Sequence, residues 1–427
     1  MSNCWDKDNE FVSKEALENK QIDLLNETIA RAKKSDYYKN VLKDVETISS
    51  IKDIESIPFV MKQDLRDNFP YGFLAVDKTD LVRLHSSSGT TGTPTVVFYT
   101  AKDLDDWAEL IARCMIMTGS TKDDVFQNTM GHGLFTGGLG FHYGSEKVGM
   151  LTIPFGPGNS QRQIWFMKEF GVSVVHILPS YAMHLYSAFQ ELEMLPADLG
   201  LKIAYIGAEP HSEEMRRQIE QLYNIKAYNS YGLSEMCGPG VAFECEHQDG
   251  LHVWEDHFYP EIINPETGEV LPDGEEGELV LTTLQKEAMP LLRYRTKDLT
   301  RIIPGKCKCG RTHRRIDRIK GRTDDMLILN GVNTFPIQIE KVLMNVAGIG
   351  RNYKIEIHKR GYMDKLIVFA EVTEEAFTDN YKDLENLKNN VINALKSELL
   401  ITPDVNLVGP NSIEVSPGKA KRIFDMR

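Results

Sequence analysis

Between residues 14 and 34 apolar side chains fall at Leu17, Ile22, Leu25 and Ile29, a spacing that predicts an amphipathic helix. From about residue 172 the pattern changes. Val172-Ser-Val-Val-His-Ile-Leu178, Leu201-Lys-Ile-Ala-Tyr-Ile-Gly207 and Ile225-Lys-Ala-Tyr-Asn-Ser-Tyr231 are short, nearly continuous apolar runs of the kind that buried strands show. Between them Ser180 is placed to cap one helix and Ser212-Glu-Glu opens another. Strands alternating with helices predict an α/β protein whose sheet is covered on its faces and binds ligands at the carboxyl ends of its strands. Beyond Leu279 the strands shorten, as in Glu278-Leu-Val-Leu-Thr-Thr283. A further strand–helix unit is expected from Met326. The tail from Lys365 reads as a strand, a long helix over residues 381–400 and a last strand.

Length and charge narrow the function. A chain of 427 residues is too long for one core, so two or three domains are expected. A net charge of 49 − 62 = −13 argues against nucleic acid as the main partner, and any polyanionic ligand must be met by local Lys and Arg. No apolar run approaches the roughly 18 residues of a membrane span. The opening Met1-Ser-Asn-Cys-Trp-Asp-Lys-Asp has no secretory core. A cytoplasmic location without a membrane partner is expected, with the six cysteines reduced or bound to metal.

The densest chemical signal is Ser86-Ser-Ser-Gly-Thr-Thr-Gly-Thr-Pro-Thr95. Its hydroxyls and two glycines add little bulk, so backbone N–H groups can wrap an anion with hydroxyl donors beside them. The run lies between two β-prone stretches, residues 80–85 and 96–99, and reads as a hairpin-type loop holding a polyphosphate. It lacks the G-x-x-x-x-G-K-[ST] pattern of a P-loop.

Other short segments complete a pattern. Gly207-Ala-Glu-Pro210 ends a strand in a turn, and Tyr231-Gly-Leu-Ser-Glu235 ends the next. Tyr294-Arg-Thr-Lys-Asp298 sets an Asp just before another strand, Gly321-Arg-Thr-Asp-Asp325 follows, and Gly418-Lys419 lies near the end. In this order they resemble the adenylate-forming superfamily of acyl-CoA synthetases, peptide-synthetase adenylation domains and luciferases. With Gly133-Leu-Phe-Thr-Gly-Gly-Leu-Gly140, Gly250-Leu-His-Val-Trp-Glu-Asp-His257 and Gly321-Arg-Thr-Asp-Asp-Met-Leu-Ile328, the chain is similar to the phenylacetate–CoA ligases over essentially its whole length.

That resemblance implies an α/β fold with a large multi-sheet N-terminal domain binding ATP and the acyl group (residues 1–323). A smaller, mobile α+β C-terminal domain would form a lid (residues 324–427). It implies an AMP-forming acid–CoA ligase that joins phenylacetate or a similar aryl acid to AMP, releasing pyrophosphate, and then passes the acyl group to CoA. The phosphates would lie on Ser87, Ser88, Gly89, Thr90, Thr91 and Gly92. Ala208, Glu209 and Pro210 would wall the adenine, with Tyr231 stacked on it and Gly232, Ser234 and Ile319 nearby. Asp298 would accept from the ribose hydroxyls and Arg322 would reach ribose or phosphate. Glu235 would hold Mg²⁺, and Lys419 would bridge the α-phosphate and the acid. The lid would pivot at Asp324, and Gly331, Val332 and Asn333 would line a pantetheine tunnel. Phe135, Phe141, Met236 and Gly238 are the candidate acyl pocket, because aromatics among glycines suit a flat apolar ligand against close backbone. In one respect the chain departs from many members of the superfamily: Thr95 follows Pro94 where a Lys is common. Pyrophosphate must then be neutralised by another group, Mg²⁺ among the candidates. The alternative reading is a relative that binds or transfers adenylate and does not use CoA. A homodimer is left open.

Spacing alone suggests one more site. Cys307-Lys-Cys309-Gly310 is a tight thiolate pair, and Cys245-Glu-His247-Gln-Asp-Gly-Leu-His252 offers a thiolate and two imidazoles. Four Cys and His ligands suit a closed structural zinc site. Cys245, His252, Cys307 and Cys309 are the expected ligands, with His247 or His313 in place of His252 as the alternative.

Overall fold

The computed structural model describes residues 3–86, 94–330, 332–360, 363–378, 380–413 and 422–427. The predicted first helix is Lys14–Ala32, capped by the Ser13 side chain on Ala16 N–H. The apolar runs become the strands Val174–Ile177, Ile203–Gly207 and Lys226–Leu233. With Val125–Asn128 and Leu151–Ile153 these five pair in parallel. The sheet then turns antiparallel through Gly238–Glu244, Leu251–Val253, Arg315–Ile316 and Ile302–Ile303. Helices Pro179–Glu191 and Glu213–Tyr223 bury one face of the parallel strands in a cluster that includes Ile177, Leu185, Ala204 and Ile219.

A four-stranded antiparallel sheet, Phe258–Ile263, Gly277–Thr283, Tyr294–Thr300 and Gly321–Arg322, packs into the larger core beside it. The C-terminal residues have a separate core. Strands Asp404–Val408, Met363–Val372, Ile349–Arg360 and Ile423–Asp425 form one sheet, covered by helices Pro336–Asn345 and Tyr381–Leu399.

Some local expectations need correction. Ser180 does not cap its helix: Leu178 is the cap residue and Pro179 takes the first turn, where its missing N–H costs nothing. Asp298 lies inside the strand Tyr294–Thr300, not before it. The unit after Met326 starts with a hairpin, Leu327–Leu329 with Val332–Thr334, before its helix.

The glycine-rich stretch 133–144 enters the helix Thr136–Val148, which packs along the helix Ala101–Met117. A Cβ on Gly140 would lie 2.5 Å from Trp107 Cζ2, and one on Gly144 would lie 2.2 Å from Ile111 Cγ2. These glycines let two helices approach closely. Gly140→Ala is therefore expected to lower stability by about 1–3 kcal/mol, the usual cost of overpacking. A thermal melt indistinguishable from wild type would contradict this packing.

Candidate active site and metal centre

The carboxyl ends of the parallel strands carry the predicted turns. Ile203–Gly207 ends in Gly207-Ala-Glu-Pro210, where Ala208 holds φ +64 and turns the chain sharply. Glu209 accepts the Ser180 N–H at 2.6 Å, which ties this turn to the neighbouring helix. Burial raises the Glu209 carboxyl above its ordinary range.

The next strand delivers Tyr231, and the antiparallel sheet delivers Asp298 to meet it. The Tyr231 hydroxyl donates to Asp298 Oδ2 at 2.6 Å. Arg322 lies opposite Asp298 in the strand register and donates to Oδ1 at 3.1 Å. Burial raises the Asp298 carboxyl even against this cation. Asp324 accepts two bonds from the same guanidinium, at 2.9 and 3.0 Å. Two residues from different strands, Tyr231 and Arg322, thus converge on one buried carboxylate, and Arg322 also holds Asp324.

Glu235 is 6% exposed and pairs with Lys62, whose ammonium is 3.1 Å from Oε1. Lys62 opens the helix Lys62–Asp67, just after Val60 docks on the segment 293–295 through Val60 N–H to Arg293 O and Arg295 N–H to Val60 O. Nothing in the local sequence marks Lys62 as a site residue. The one available signal is Thr95, which stands where a lysine is common in the superfamily the chain resembles.

The hydroxyl loop is bracketed. Arg83–Ser86 and Val96–Tyr99 pair antiparallel with Ser86 opposite Val96, as the hairpin reading requires. Ser86 N–H donates to Leu134 O at 2.8 Å, and Thr136 Oγ1 meets Ser234 Oγ at 3.1 Å. Phe135, more than half exposed, therefore sits between the edge of this loop and the Tyr231–Glu235 segment. Gly232 fits because a Cβ there would strike Gly238 O, while Gly238 has φ +115 and lies against Trp107 and Thr136. Met236 is buried and its carbonyl accepts the Lys286 ammonium at 2.9 Å. Phe141 lies elsewhere: it is wholly enclosed by Phe126, His176, Tyr205 and Phe243, which makes it a core residue. Ile319 is half-buried against the main core. Val332 belongs to the hairpin after the pivot, paired with Leu329, and Asn333 is paired with Ile328. Ser87, Ser88, Gly89, Thr90, Thr91, Gly92, Gly331 and Lys419 lie outside the described residues.

The second site is well formed. Cys245, His252, Cys307 and Cys309 are all buried, with one potential ligand atom from each lying within 4.8 Å of every other. Cys245 Sγ is 3.6 Å from Cys307 Sγ, and Cys309 Sγ is 3.4 Å from His252 Nε2. Tetrahedral zinc with sulfur at its usual bond length sets such ligands about 3.8 Å apart, so the donor set fits that ion. The His252 Nδ1 faces His313 O at 3.3 Å, a contact of the kind that orients a ligating imidazole. Both alternatives are otherwise placed. His313 accepts Glu255 N–H at 2.9 Å and meets Asn9 O at 2.9 Å, while His247 is a third exposed and beside Glu246. The neighbouring Arg311 is buried and donates to Glu10 at 2.7 Å, drawing the N-terminal segment onto the same loop.

Turns at the carboxyl ends of parallel strands, a buried carboxylate bonded to Tyr231 and a separate small C-terminal body are the arrangement of an AMP-binding enzyme. The chain belongs to the AMP-binding enzyme family: that family's profile matches residues 16–285, and the profile described as the AMP-binding enzyme C-terminal domain matches residues 331–427. A phenylacetate–coenzyme A ligase of Pseudomonas putida is 44% identical over 383 residues, covering 90% of this chain and 87% of the relative. The crystal structure of a 2-hydroxyisobutyryl-CoA ligase in its postadenylation state, with a 2-HIB-AMP ligand, matches at 27% identity with a TM-score of 0.94, covering 100% of this chain and 93% of that one. The same ligase in its thioesterification state, with 2-HIB-AMP and CoA, matches at 28% identity with a TM-score of 0.74, covering 99% and 92%. The arrangement of this chain is thus closer to the first of those two states.

Proposed function

We propose that this protein is a phenylacetate–CoA ligase or activates a closely related aryl acid by the same route. The reaction class is AMP-forming acid–CoA ligation. The acid's carboxylate attacks the α-phosphorus of ATP, pyrophosphate leaves, and the CoA thiol then attacks the acyl carbon with loss of AMP. The observation that carries this reading is the convergence of Tyr231 and Arg322 on Asp298 beside Glu235 and Lys62. Two anions must meet in the first step, so positioning and charge compensation dominate catalysis.

On this reading Asp298 accepts from the ribose hydroxyls, Tyr231 and the 208–210 turn hold the base, and Arg322 reaches ribose or phosphate. Glu235 would hold Mg²⁺, a hard cation suited to one carboxylate beside phosphate and water, which would lower the negative charge there. Lys62 is the cation that stands in for the loop lysine replaced by Thr95. Lys419 bridges the α-phosphate and the acid in the first step. The lid, residues 324–427, pivots at Asp324 and presents Gly331, Val332 and Asn333 to CoA. Phe135, Met236 and Gly238 face the acyl group. Phenylacetate is expected to give a higher kcat/KM than acetate or 2-hydroxyisobutyrate. A preference for either short acid would remove the aryl assignment and leave the ligase class standing.

The Cys245, His252, Cys307 and Cys309 cluster is proposed to hold a structural zinc that fastens two loops of the large domain and takes no part in the reaction. Protein purified without added metal is expected to carry about one zinc per chain by elemental analysis. Cys307→Ser with Cys309→Ser should remove the metal and lower the melting temperature, while adenylate formation by the folded fraction persists. A metal-free wild type, or zinc retained by the double variant, would contradict the assignment.

A further inference from the structure

Glu340 lies in the helix Pro336–Asn345 of the C-terminal body and is 2% exposed. Its two carboxylate oxygens serve different bodies. Oε1 accepts the Ser212 N–H at 2.8 Å, across to the large body. Ser212 lies two residues past Pro210 of the 207–210 turn and caps the helix Glu213–Tyr223 with its hydroxyl, so its own N–H is available to Glu340. A helix start also favours a carboxylate electrostatically. Oε2 accepts the Tyr353 hydroxyl at 2.8 Å and is paired with Arg422. Arg422 in turn packs over the Tyr353 ring, 4.4 Å from its centroid, and its carbonyl accepts Ile355 N–H at 2.7 Å. Arg422 is three residues past Lys419 in the chain.

Among the described residues two more hydrogen bonds join the bodies, Gln218 Nε2 to Met344 O at 3.1 Å and Arg351 Nη1 to Met183 O at 3.2 Å, and Arg351 also packs over the Tyr186 ring. Both end on backbone carbonyls, and neither involves Arg422. Among the described residues Glu340 bonds both to the large body and to Arg422, whose guanidinium also faces the charge of Glu209 in the 207–210 turn.

We propose that Glu340 is a positioning residue for adenylate formation, tying the C-terminal body at Arg422 to the large body beside the 207–210 turn through Ser212. The proposal rests on the reading of Lys419 as the lysine of the first step. The tie is built to be broken. When the lid turns away, only the Ser212 bond is lost, while Arg422 and Tyr353 travel with Glu340 and keep the buried carboxylate satisfied. A buried acid without such companions would resist release.

The test separates the two half-reactions. Glu340→Ala is expected to slow adenylate formation, read as single-turnover pyrophosphate release, by about tenfold, the scale of one charge-assisted hydrogen bond. Thioester formation from supplied phenylacetyl-AMP and CoA should stay within about twofold of wild type, which also shows that the variant is folded. Glu340→Gln keeps an acceptor for Ser212 but loses the ion pair, and should fall between the two. In a Lys419→Ala background Glu340→Ala should add no further loss, because it acts through that lysine. Equal losses in both half-reactions, or losses that add to that of Lys419→Ala, would overturn the proposal. If Lys419→Ala itself leaves adenylate formation intact while Glu340→Ala slows it, the lysine reading fails and the anchor as stated falls with it.

Discussion

Lys419→Ala is expected to slow acyl-adenylate formation by about 10²–10³-fold, the usual effect of removing one charge aimed at a phosphoryl transition state. Thioester formation from supplied acyl-AMP should continue close to the wild-type rate. The division follows from the proposed pivot at Asp324. On that proposal the C-terminal body presents one face while ATP and the acid react, and another while CoA attacks, so the lysine serves the first step only. The chain's likeness to the postadenylation state of a related ligase, TM-score 0.94 against 0.74 for the thioesterification state, agrees with a lid set on the adenylation side. Separate assays of the two half-reactions check this. Equal losses in both would make the lysine structural or the pivot account wrong.

Lys62→Ala is expected to cost about 10²-fold in adenylate formation, with the larger loss in kcat. Lys62 is 42% exposed on its side chain and Glu235 7%, so the pair holds a cation at the mouth of a buried carboxylate. An ion pair this exposed contributes at most about 1 kcal/mol to folding, so the melting temperature should barely move. The contrast between a large kinetic loss and a small thermal one distinguishes a phosphate-neutralising lysine from a surface salt bridge. Retention of full pyrophosphate release by Lys62→Ala would show that the charge lost with Thr95 is compensated elsewhere.

The parts of this architecture visible in the sequence are those governed by local periodicity. Val174–Ile177, Ile203–Gly207 and residues 227–231 are buried on both faces and therefore read as strands, and the Ser212 cap announces its helix. The zinc-type cluster was legible because two short motifs each bring a pair of soft ligands. The topology then joins them through the pairing of Leu251–Val253 with Arg315–Ile316.

What stayed hidden depends on contacts between distant residues. The glycines of 136–144 read as room for a ligand, but Gly140 and Gly144 make room for Trp107 and Ile111 on a neighbouring helix. Phe141 shares their helix and points into the core for the same reason. Lys62 and Glu340 carry no local signature. Each acquires its place only when a segment remote in sequence, ending at Glu235 or Ser212, folds against it. Asp298 was found as a residue but misplaced as an element, since a strand of alternating polar and apolar residues resembles the loop before it.

The central claim is that an acid is activated by ATP before CoA is used. The measurement that tests it most directly is pyrophosphate release by the full-length enzyme with ATP and Mg²⁺, across aryl and alkyl acids, with and without CoA. The account predicts a burst of pyrophosphate that requires an aryl acid and appears without CoA, followed by turnover to AMP and an equal amount of thioester once CoA is added. Pyrophosphate release independent of any acid, or adenylate that CoA never consumes, would contradict it.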